Sequence, residues 1–392
     1  MGTLDDLGEE LAVLGSQNRL RLLRRIEGGP GVRVRVDGRP VINFSSNDYL
    51  GLAASDEAAA AAGAASREFG CGATASRLVC GTFAVHAELE SALARWQGAE
   101  GALLFNSGYQ ANVGVLSALA GPGDLVVSDQ LNHASIIDGC RLSRAEVAIY
   151  RHGDAAHAEE LLSARGRHAR RRFIVSDSLF SMDGDPAPLA ELASVAYRQG
   201  AALMVDEAHA VGCFGARGRG LAAMNGVPVD ILVGTFGKAF GSFGAFVVSR
   251  GVVREVLLNR ARSFVFTTAL PPAVVAASRA ALETVDSEEG ERLRARLAGL
   301  VARMQDGLRR LGLLAEGSGS SPIFPIVAGS EEAAMNCCEQ LLERGIFAQA
   351  IRPPTVPRGT SRLRMTVTAA HLEPDIDAAV DGLGDLIERG LL

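Results

Sequence analysis

The chain has 392 residues, of which 48% are hydrophobic and 21% charged, with a formal net charge of −6. This length allows one large domain or two unequal ones, the negative charge does not support a nucleic-acid partner, and no apolar run predicts a membrane span. The start of the chain lacks a secretory signal, and its six cysteines have no C-x-x-C spacing, so we expect reduced thiols in a cytoplasmic protein.

The first 45 residues predict a helix and a hairpin. Leucines near the start recur at helical spacing, which predicts one amphipathic helix over residues 1–27. The apolar runs 32–36 and 41–44 flank Asp37-Gly38, a dipeptide that favours a tight β-turn. We therefore treat residues 1–45 as an N-terminal helix and hairpin.

Short β-branched runs alternate with helical stretches from about residue 84 to 250. The predicted strands are 102–105, 124–129, 146–150, 172–177, 202–207, 231–236 and 244–249. This alternation predicts βαβ units, and so an α/β fold with a mostly parallel central sheet. In such sheets the loops after the carboxyl ends of the strands build the ligand site.

The last part of the chain has a different pattern. A long helical region covers about 271–313, and shorter strand-like and helical segments follow it. They predict a smaller C-terminal α+β domain. We therefore place a large domain at residues 46–280 and the small C-terminal domain at 281–392.

Lysine is almost absent. Of the 39 Lys and Arg residues only one, Lys238, is lysine, and it lies in the glycine-rich segment GTFGKAFGSFGA, residues 234–245. Arginine stays protonated, whereas a lysine amine can lose its proton and form a Schiff base. Glycines let the backbone approach a planar ligand, and Thr235 could donate its hydroxyl to a phosphate. Lys238 is therefore the candidate anchor of a carbonyl cofactor, with a surface lysine as the alternative.

A second motif, VDEAHA, follows a predicted buried strand at residues 205–210. The carboxylate of Asp206 could pair with the protonated pyridine nitrogen of pyridoxal phosphate and keep the ring an electron sink. His209 could reach the phenolic oxygen. An acidic loop cap and a metal site are the alternatives, although one Asp, one Glu and one His make a poor metal site.

Further polar residues follow other predicted strands. In NSGYQAN, the residues Ser107, Gly108 and Tyr109 fit a helix N-terminus that binds phosphate, or a plain N-cap. His133 could stack on the cofactor ring or cap a helix, and Ser181 could bind the cofactor. The remaining histidines include three among charged residues, which predicts solvated side chains: His152, His157 and His168.

Together these segments resemble the α-oxoamine synthases, pyridoxal-phosphate enzymes with the aspartate-aminotransferase fold (fold type I). The resemblance runs from about residue 20 to 385. The segments that carry it are NFSSNDYLGL, LNHASIIDGCRLS, FSMDGD, DEAHA, TFGKAFG and AIRPPTVPRGTSRLRMTVTAAH.

The resemblance implies roles for the site residues. Lys238 would hold the cofactor and move the Cα proton, His133 would stack on the ring, Asp206 would pair with the pyridine nitrogen, and His209 would contact the phenolic oxygen. The residues implied at the phosphate and its rim are Gly108, Tyr109, Ser181 and Thr235, beside Ser107.

Substrate contacts and an assembly are implied as well. The implied substrate residues are Arg21 (or Arg24 in its place), Asn47, Arg352, Thr355 and Arg364. Arg364 is favoured for the amino-acid carboxylate, because a guanidinium binds a carboxylate with two hydrogen bonds, and Arg352 is the second candidate. The family forms homodimers with shared sites, so Thr267 or Thr268 would reach the partner's phosphate.

The stretch AIRPPTVPRGTSRLR favours, within the family, the condensation of L-alanine with pimeloyl-CoA or a pimeloyl carrier protein in biotin biosynthesis. The alternatives keep the mechanism but use glycine with acetyl-CoA, or succinyl- or long acyl-CoA donors. Aminotransferases and desulfurases share the fold, but the NDYLGL and PPTVP segments argue against them. A degenerate, inactive subunit would have lost the lysine.

Overall fold

The structure is a computed structural model that describes residues 4–314 and 320–392. The helices are α1 (Leu7–Ser16), α2 (Asp56–Phe69), α3 (Ala84–Gln97), α4 (Gly108–Leu119), α5 (Ala134–Ser143), α6 (Ala155–Arg165), α7 (Leu189–Gln199), α8 (Leu221–Met224), α9 (Gly251–Arg260), α10 (Arg262–Val265), α11 (Pro272–Val285), α12 (Glu288–Arg310), α13 (Glu331–Glu343) and α14 (Glu373–Glu388). The strands are β1 (Ile26–Glu27), β2 (Arg33–Val36), β3 (Arg39–Asn43), β4 (Gly101–Phe105), β5 (Leu125–Asp129), β6 (Glu146–Tyr150), β7 (Arg172–Asp177), β8 (Ala202–Asp206), β9 (Ile231–Thr235), β10 (Ala245–Ser249), β11 (Ile323–Gly329), β12 (Ile346–Phe347), β13 (Gln349–Ile351) and β14 (Ser361–Thr366). Within the described ranges, no helix is long and apolar enough to cross a membrane.

The chain forms two compact units. The central unit contains residues 50–181 and 185–295, and the terminal unit contains residues 1–49, 182–184 and 296–392. The N-terminal residues group with the C-terminal ones because β3 pairs in parallel with β12, so that Ile42 lies opposite Ile346. This grouping differs from the three consecutive segments expected from sequence, since such a long-range strand pair leaves no local pattern.

The central unit is built on a seven-stranded sheet of order β4-β10-β9-β8-β7-β5-β6. The pairs β6–β5, β5–β7, β7–β8 and β8–β9 are parallel, and β10 is antiparallel to both β9 and β4. The mostly parallel sheet predicted from the alternating pattern is therefore confirmed. Since β4, β5, β7, β8 and β9 all run in one direction, their carboxyl ends meet at one edge of the sheet.

The terminal unit contains the predicted hairpin and a second, antiparallel sheet. In the hairpin, β2 and β3 are joined by Asp37 and Gly38, whose φ values are 50° and 83°. Two consecutive positive φ angles are typical of the type I′ turn, which the Asp-Gly pair favours. The second sheet has the order β11-β14-β13.

The N-terminal helix prediction is wrong in extent, whereas the long helical region predicted over about 271–313 is confirmed. The N-terminal helix ends at Ser16, well before residue 27, because Asn18 adopts a left-handed φ of 52° and Ile26–Glu27 pairs as a strand with β2. The helical region over 271–313 is two helices, since α11 ends at Val285 and α12 begins at Glu288.

Candidate active site

The carboxyl edge of the central sheet carries the predicted cofactor residues. Ser107 follows β4, His133 follows β5, Ser181 follows β7, Asp206 ends β8, and Lys238 follows β9. His209 and Thr235 lie beside the last two. The strand directions thus place every predicted cofactor residue that follows a parallel strand at the same edge.

The loop that carries Lys238 is held rigidly. Phe236 N donates to Gly244 O at 2.9 Å, and Gly241 N donates to Lys238 O at 2.8 Å. Gly241 has a φ of +60°, and a Cβ there would lie 2.1 Å from the backbone nitrogen of Ala53, so this position requires glycine. The half-buried Lys238 therefore extends from a loop with a fixed backbone.

An aromatic cluster supports this loop. Phe236 lies 5.5 Å from Phe240 and 5.1 Å from Phe246, measured between ring centroids, and Trp96 contacts Phe240 edge-on at 5.8 Å. Phe236 and Phe240 flank Lys238 in sequence and are fully buried. Rigid packing beside a reactive side chain keeps its position defined.

Asp206 is buried and hydrogen-bonded at the end of β8. Its carboxylate accepts from Ala208 N at 2.8 Å and from Asn112 Nδ2 at 2.6 Å. The neighbouring Glu207 is also buried and accepts from the backbone amides of Leu221 and Ala222 at 3.0 and 2.7 Å. Burial raises the pKa of Glu207 to about 7. These bonds fix the turn on which Asp206 and the buried His209 lie.

His133 caps α5 and lies within electrostatic range of the other charged groups. Its backbone N–H donates to Asp177 Oδ2 at 2.9 Å, and its ring Nδ1 lies 2.7 Å from Ser135 Oγ. Although the residue is exposed, burial of the ring by surrounding protein atoms lowers its pKa; Asp206 opposes this shift and Lys238 adds to it. A neutral ring at pH 7 follows from that lowering.

Asp177 was not singled out from the sequence. Its carboxyl is buried at the end of β7, and its backbone N–H donates to Asn132 Oδ1 at 2.8 Å. Burial, reinforced by Asp206, raises its pKa well above the usual range, while the His133 amide and Lys238 oppose the rise. The signal available in the sequence was its place at a strand end, next to the FSMDGD segment.

The start of α4 suits a phosphate. Ser107 is the N-cap, and its Oγ accepts from Gln110 N at 3.2 Å, which leaves its own proton available. The first amides of a helix have no partner within the helix, and a Cβ built on Gly108 would meet no atom within 4 Å. The predicted alternatives, N-cap and phosphate site, are compatible, because the cap uses only the oxygen of Ser107.

Other predicted phosphate contacts already have partners. Thr235 Oγ1 donates to Gly244 O at 2.9 Å, so its single proton is used within the loop. Tyr109 donates its hydroxyl to Asp138 Oδ2 at 2.5 Å, and this bond raises the pKa of the Tyr109 phenol. Thr267 Oγ1 accepts from Asn106 Nδ2 at 3.2 Å.

The terminal unit brings two pairs of predicted substrate residues together. Arg21 Nη2 donates to Thr355 Oγ1 at 3.2 Å, and Arg364 Nη1 donates to Asn47 Oδ1 at 3.0 Å. Arg21, Thr355 and Arg352 line one groove of this unit.

The alternatives to these arginines have other partners. Arg24 pairs with the acidic side chains of Asp37 and Glu339, which leaves Arg21 as the better candidate. Arg352 donates to the backbone oxygens of Asn18 and Leu20. Arg352 therefore holds the N-terminal segment in place, and its pKa is lowered by burial and by the nearby Arg21.

Comparisons with known proteins identify the family of this chain. A family model described as aminotransferase class I and II matches residues 39–383. The chain belongs to this family. It is 51% identical over 388 residues to an 8-amino-7-oxononanoate synthase of Anaeromyxobacter dehalogenans, covering 98% of this chain and 96% of that protein.

Two solved structures are similar over most of the chain. A serine palmitoyltransferase variant from S. paucimobilis with PLP bound matches with a TM-score of 0.93 at 32% identity, covering 99% of this chain and 98% of the other. An 8-amino-7-oxononanoate synthase from Francisella tularensis matches with a TM-score of 0.76 at 27% identity, covering 90% and 99%. Fold type I, predicted from the resemblance, is confirmed.

The cofactor of this family is pyridoxal phosphate, and the residues at the sheet edge fit it. The open helix start at Ser107 and Gly108 suits the phosphate, the buried Asp206 carboxylate suits a protonated ring nitrogen, and Lys238 offers the only side-chain amine in the sequence. The predicted cofactor thus agrees with the chemistry of the groups present.

His152 ties two loops of this edge together, and the prediction of a solvated side chain is wrong for it. Its Nδ1 lies 3.0 Å from Asp129 Oδ1 and its Nε2 lies 2.7 Å from Asp185 Oδ2. Both carboxylates accept, so both ring nitrogens carry protons, and these two bonds raise the pKa of His152 to about 10. Asp129 precedes the loop of His133, and Asp185 follows the loop of Ser181.

We expect His152→Gln to destabilise the protein in a pH-dependent way. The folded pKa lies above the value of about 6.5 in an unfolded chain, so the stabilisation is full below that pH and is lost as the pH rises through about 10. Urea unfolding should show a loss of about 2 kcal/mol at pH 6 and a smaller loss at pH 9.5. The exposed His168→Gln is the control. A loss that does not depend on pH would contradict a protonated His152.

Proposed function

We propose that this chain is an 8-amino-7-oxononanoate synthase, which condenses L-alanine with a pimeloyl thioester of CoA or a carrier protein and releases CO2 and the free thiol. The observation that carries the proposal is the 51% identity over 388 residues to a relative of that name. The grouping of Lys238, Asp206 and His133 at one sheet edge supports it, because this chemistry needs an amine, a carboxylate and a flat ring together.

Each candidate cofactor residue of the central unit has a separate role in the proposed reaction. When bound, pyridoxal phosphate acts as the electron sink for negative charge that develops at the Cα of the amino acid. Lys238 Nζ would hold the cofactor and would then take the proton from Cα. The Asp206 carboxylate would keep the ring nitrogen protonated, His209 would contact the phenolic oxygen, and His133 would cover the ring face.

Phosphate binding is assigned to the start of α4. Ser107 offers its free hydroxyl proton, and the amides of Gly108 and Tyr109 point out of the helix N-terminus. Ser181 completes the set, and Thr235 supports it by holding the backbone of the Lys238 loop, since its hydroxyl donates to Gly244 O and accepts from Gly237 N.

Substrate binding is assigned to the terminal unit. Arg364, oriented by Asn47 at 3.0 Å, binds the carboxylate of alanine. Arg21 and Thr355 bind the acyl donor, and Arg352 supports them by fixing the backbone at Asn18 and Leu20.

A second candidate is an enzyme of the same mechanism with other substrates. The TM-score to a serine palmitoyltransferase, 0.93, exceeds the value of 0.76 to the Francisella tularensis synthase. This observation favours serine and a long acyl-CoA, whereas sequence identity favours alanine and a pimeloyl donor. Glycine with acetyl-CoA is the remaining pair within the family.

A turnover assay separates these substrate pairs. Purified protein with pyridoxal phosphate is offered alanine, serine or glycine, each with pimeloyl-, palmitoyl- or acetyl-CoA, and CoA release is followed. We expect release with alanine and pimeloyl-CoA at a kcat/KM at least about 100-fold above every other pair, the discrimination that a fitted site provides. Faster release with serine and palmitoyl-CoA would transfer the assignment to the second candidate.

We expect Lys238→Arg to abolish the visible absorbance that the protein acquires with pyridoxal phosphate, because a guanidinium does not form the covalent link. Turnover should fall by about 1,000-fold or more, since both the anchor and the base are lost. The control is the double variant Lys238→Arg/Arg250→Lys, which returns a lysine to the chain away from the site. Visible absorbance in either variant would mean that another amine binds the cofactor.

A cytoplasmic homodimer is part of the proposal. All six cysteines are free thiols, which suits a reducing compartment and can be checked by cell fractionation. Leu78, Val79 and Phe266 are 51%, 78% and 70% exposed, and each lies two or three residues from the paired Ser76 and Thr268. An exposed apolar group of this size supports a subunit interface, beside Thr267, which would reach the partner's phosphate.

We expect Phe266→Glu to weaken the dimer by roughly 30-fold, on the order of 2 kcal/mol, as for a central interface aromatic. Sedimentation velocity over a concentration series measures the change. Tyr197→Glu is the matched control, because Tyr197 is 90% exposed on α7. A wild-type protein that sediments as a monomer at micromolar concentration would contradict the dimer.

A further inference from the structure

A buried chain of hydrogen bonds joins two of the cofactor residues. Asn112 lies within α4 and is 1% exposed. Its Nδ2 donates both to Asp206 Oδ2 at 2.6 Å and to Ser135 Oγ at 2.9 Å. Ser135 Oγ lies in turn 2.7 Å from His133 Nδ1. We call Asn112 and Ser135 the Asn112 relay.

The direction of each proton in the relay is set by its acceptor. An ionised carboxylate only accepts, so the amide of Asn112 must turn its nitrogen toward Asp206. The same nitrogen then donates its second proton to Ser135 Oγ, while Asn112 Oδ1 is buried with no hydrogen-bond partner among the described residues. The amide is therefore oriented for its two donated bonds.

Ser135 offers two donors to the ring of His133. Because Ser135 Oγ already accepts from Asn112, its own proton is free to point at His133 Nδ1. The backbone N–H of Ser135 also points at this nitrogen, at 3.3 Å. With two donors directed at Nδ1, that nitrogen accepts, and the proton of a neutral imidazole sits on Nε2.

We propose that Asn112 and Ser135 are positioning residues, which use the Asp206 carboxylate to hold His133 as the tautomer protonated on Nε2. The ring then presents one donor, Nε2–H, in a fixed orientation. This inference rests on the proposed function only for the identity of the substrate that Nε2–H would contact. The positions of the protons depend on the protein alone.

Packing alone does not explain why positions 112 and 135 carry polar side chains. Ser135 is fully buried in the first turn of α5, and Asn112 lies among the apolar side chains of α4, where an aliphatic residue would pack without a buried unpaired oxygen. Polar groups in such places need a reason beyond stability, and linked hydrogen bonds in a low dielectric reinforce one another.

The tautomer of His133 can be read directly. The full-length protein is labelled with 15N-histidine and studied by NMR with and without pyridoxal phosphate, and the His133 signals are assigned by their loss in His133→Asn. We expect wild-type His133 to carry its proton on Nε2. In Ser135→Ala the ratio of the Nε2–H to the Nδ1–H tautomer should fall roughly fivefold, as one hydrogen bond is lost.

Two further variants sharpen the test. Asn112→Ala should lower the ratio although Ser135 is still present, and the double variant should add little to the larger single effect. Ser143→Ala, at the other end of α5, is the matched control, because this buried hydroxyl donates to Cys140 O and accepts from Ala145 N, and neither bond involves His133. It should leave the ratio unchanged.

Three results would overturn the proposal: a wild-type ring protonated on Nδ1, an unchanged ratio in Ser135→Ala, or an equal change in Ser143→Ala. Ser135→Ala decides the question even if Asn112→Ala does not fold. The two proposals can fail separately. If the turnover assay shows no CoA release with alanine and pimeloyl-CoA while His133 has the expected tautomer, the proposed function is rejected and the Asn112 relay is retained.

Discussion

The hydrogen-bonded carboxylate of Asp206 is the interaction on which the site depends. A buried carboxylate is costly unless donors surround it, and here Ala208 N and Asn112 Nδ2 supply them. The first bond shapes the turn after β8, and the second fixes α4, the helix whose start suits the phosphate. The Asp206 carboxylate thus helps to fix the end of β8 and the position of α4. Through Asn112 and Ser135 it also orients the ring of His133.

Lys238 depends on a different constraint, the packing of its loop. The backbone bonds around Lys238 and the aromatic rings of Phe236 and Phe240 fix the position of this loop. Gly241 is required for the close approach to Ala53. In the proposed mechanism Lys238 would both hold the cofactor and move a proton, and a fixed loop means that only the side chain would have to change its conformation.

Local patterns in the sequence were enough to predict the central sheet and the edge at which the candidate site residues lie. Short β-branched runs mark the strands, and polar residues at their ends mark Lys238, Asp206 and His133. The N-terminal helix was overextended because leucine spacing does not reveal the left-handed Asn18. The pairing of β3 with β12, the bonds of His152 and the Asn112 relay could not be predicted, because each joins residues that are distant in sequence and have no shared periodicity.

The structure also gives a reason why many basic positions of this chain carry arginine and not lysine. Several arginines use their planar fork to bind backbone oxygens in ways that an ammonium group reproduces poorly. Arg296 donates to the oxygens of Ala369 and His371 at 2.6 and 2.9 Å, and Arg172 donates to Gly166 O and Gln199 O at 2.8 and 2.7 Å. Arginine suits these positions, whereas the proposed mechanism requires at position 238 an amine that can lose its proton. Composition and the proposed chemistry therefore lead to the same residue for separate reasons, because a permanent positive charge at position 238 would prevent the proposed reaction.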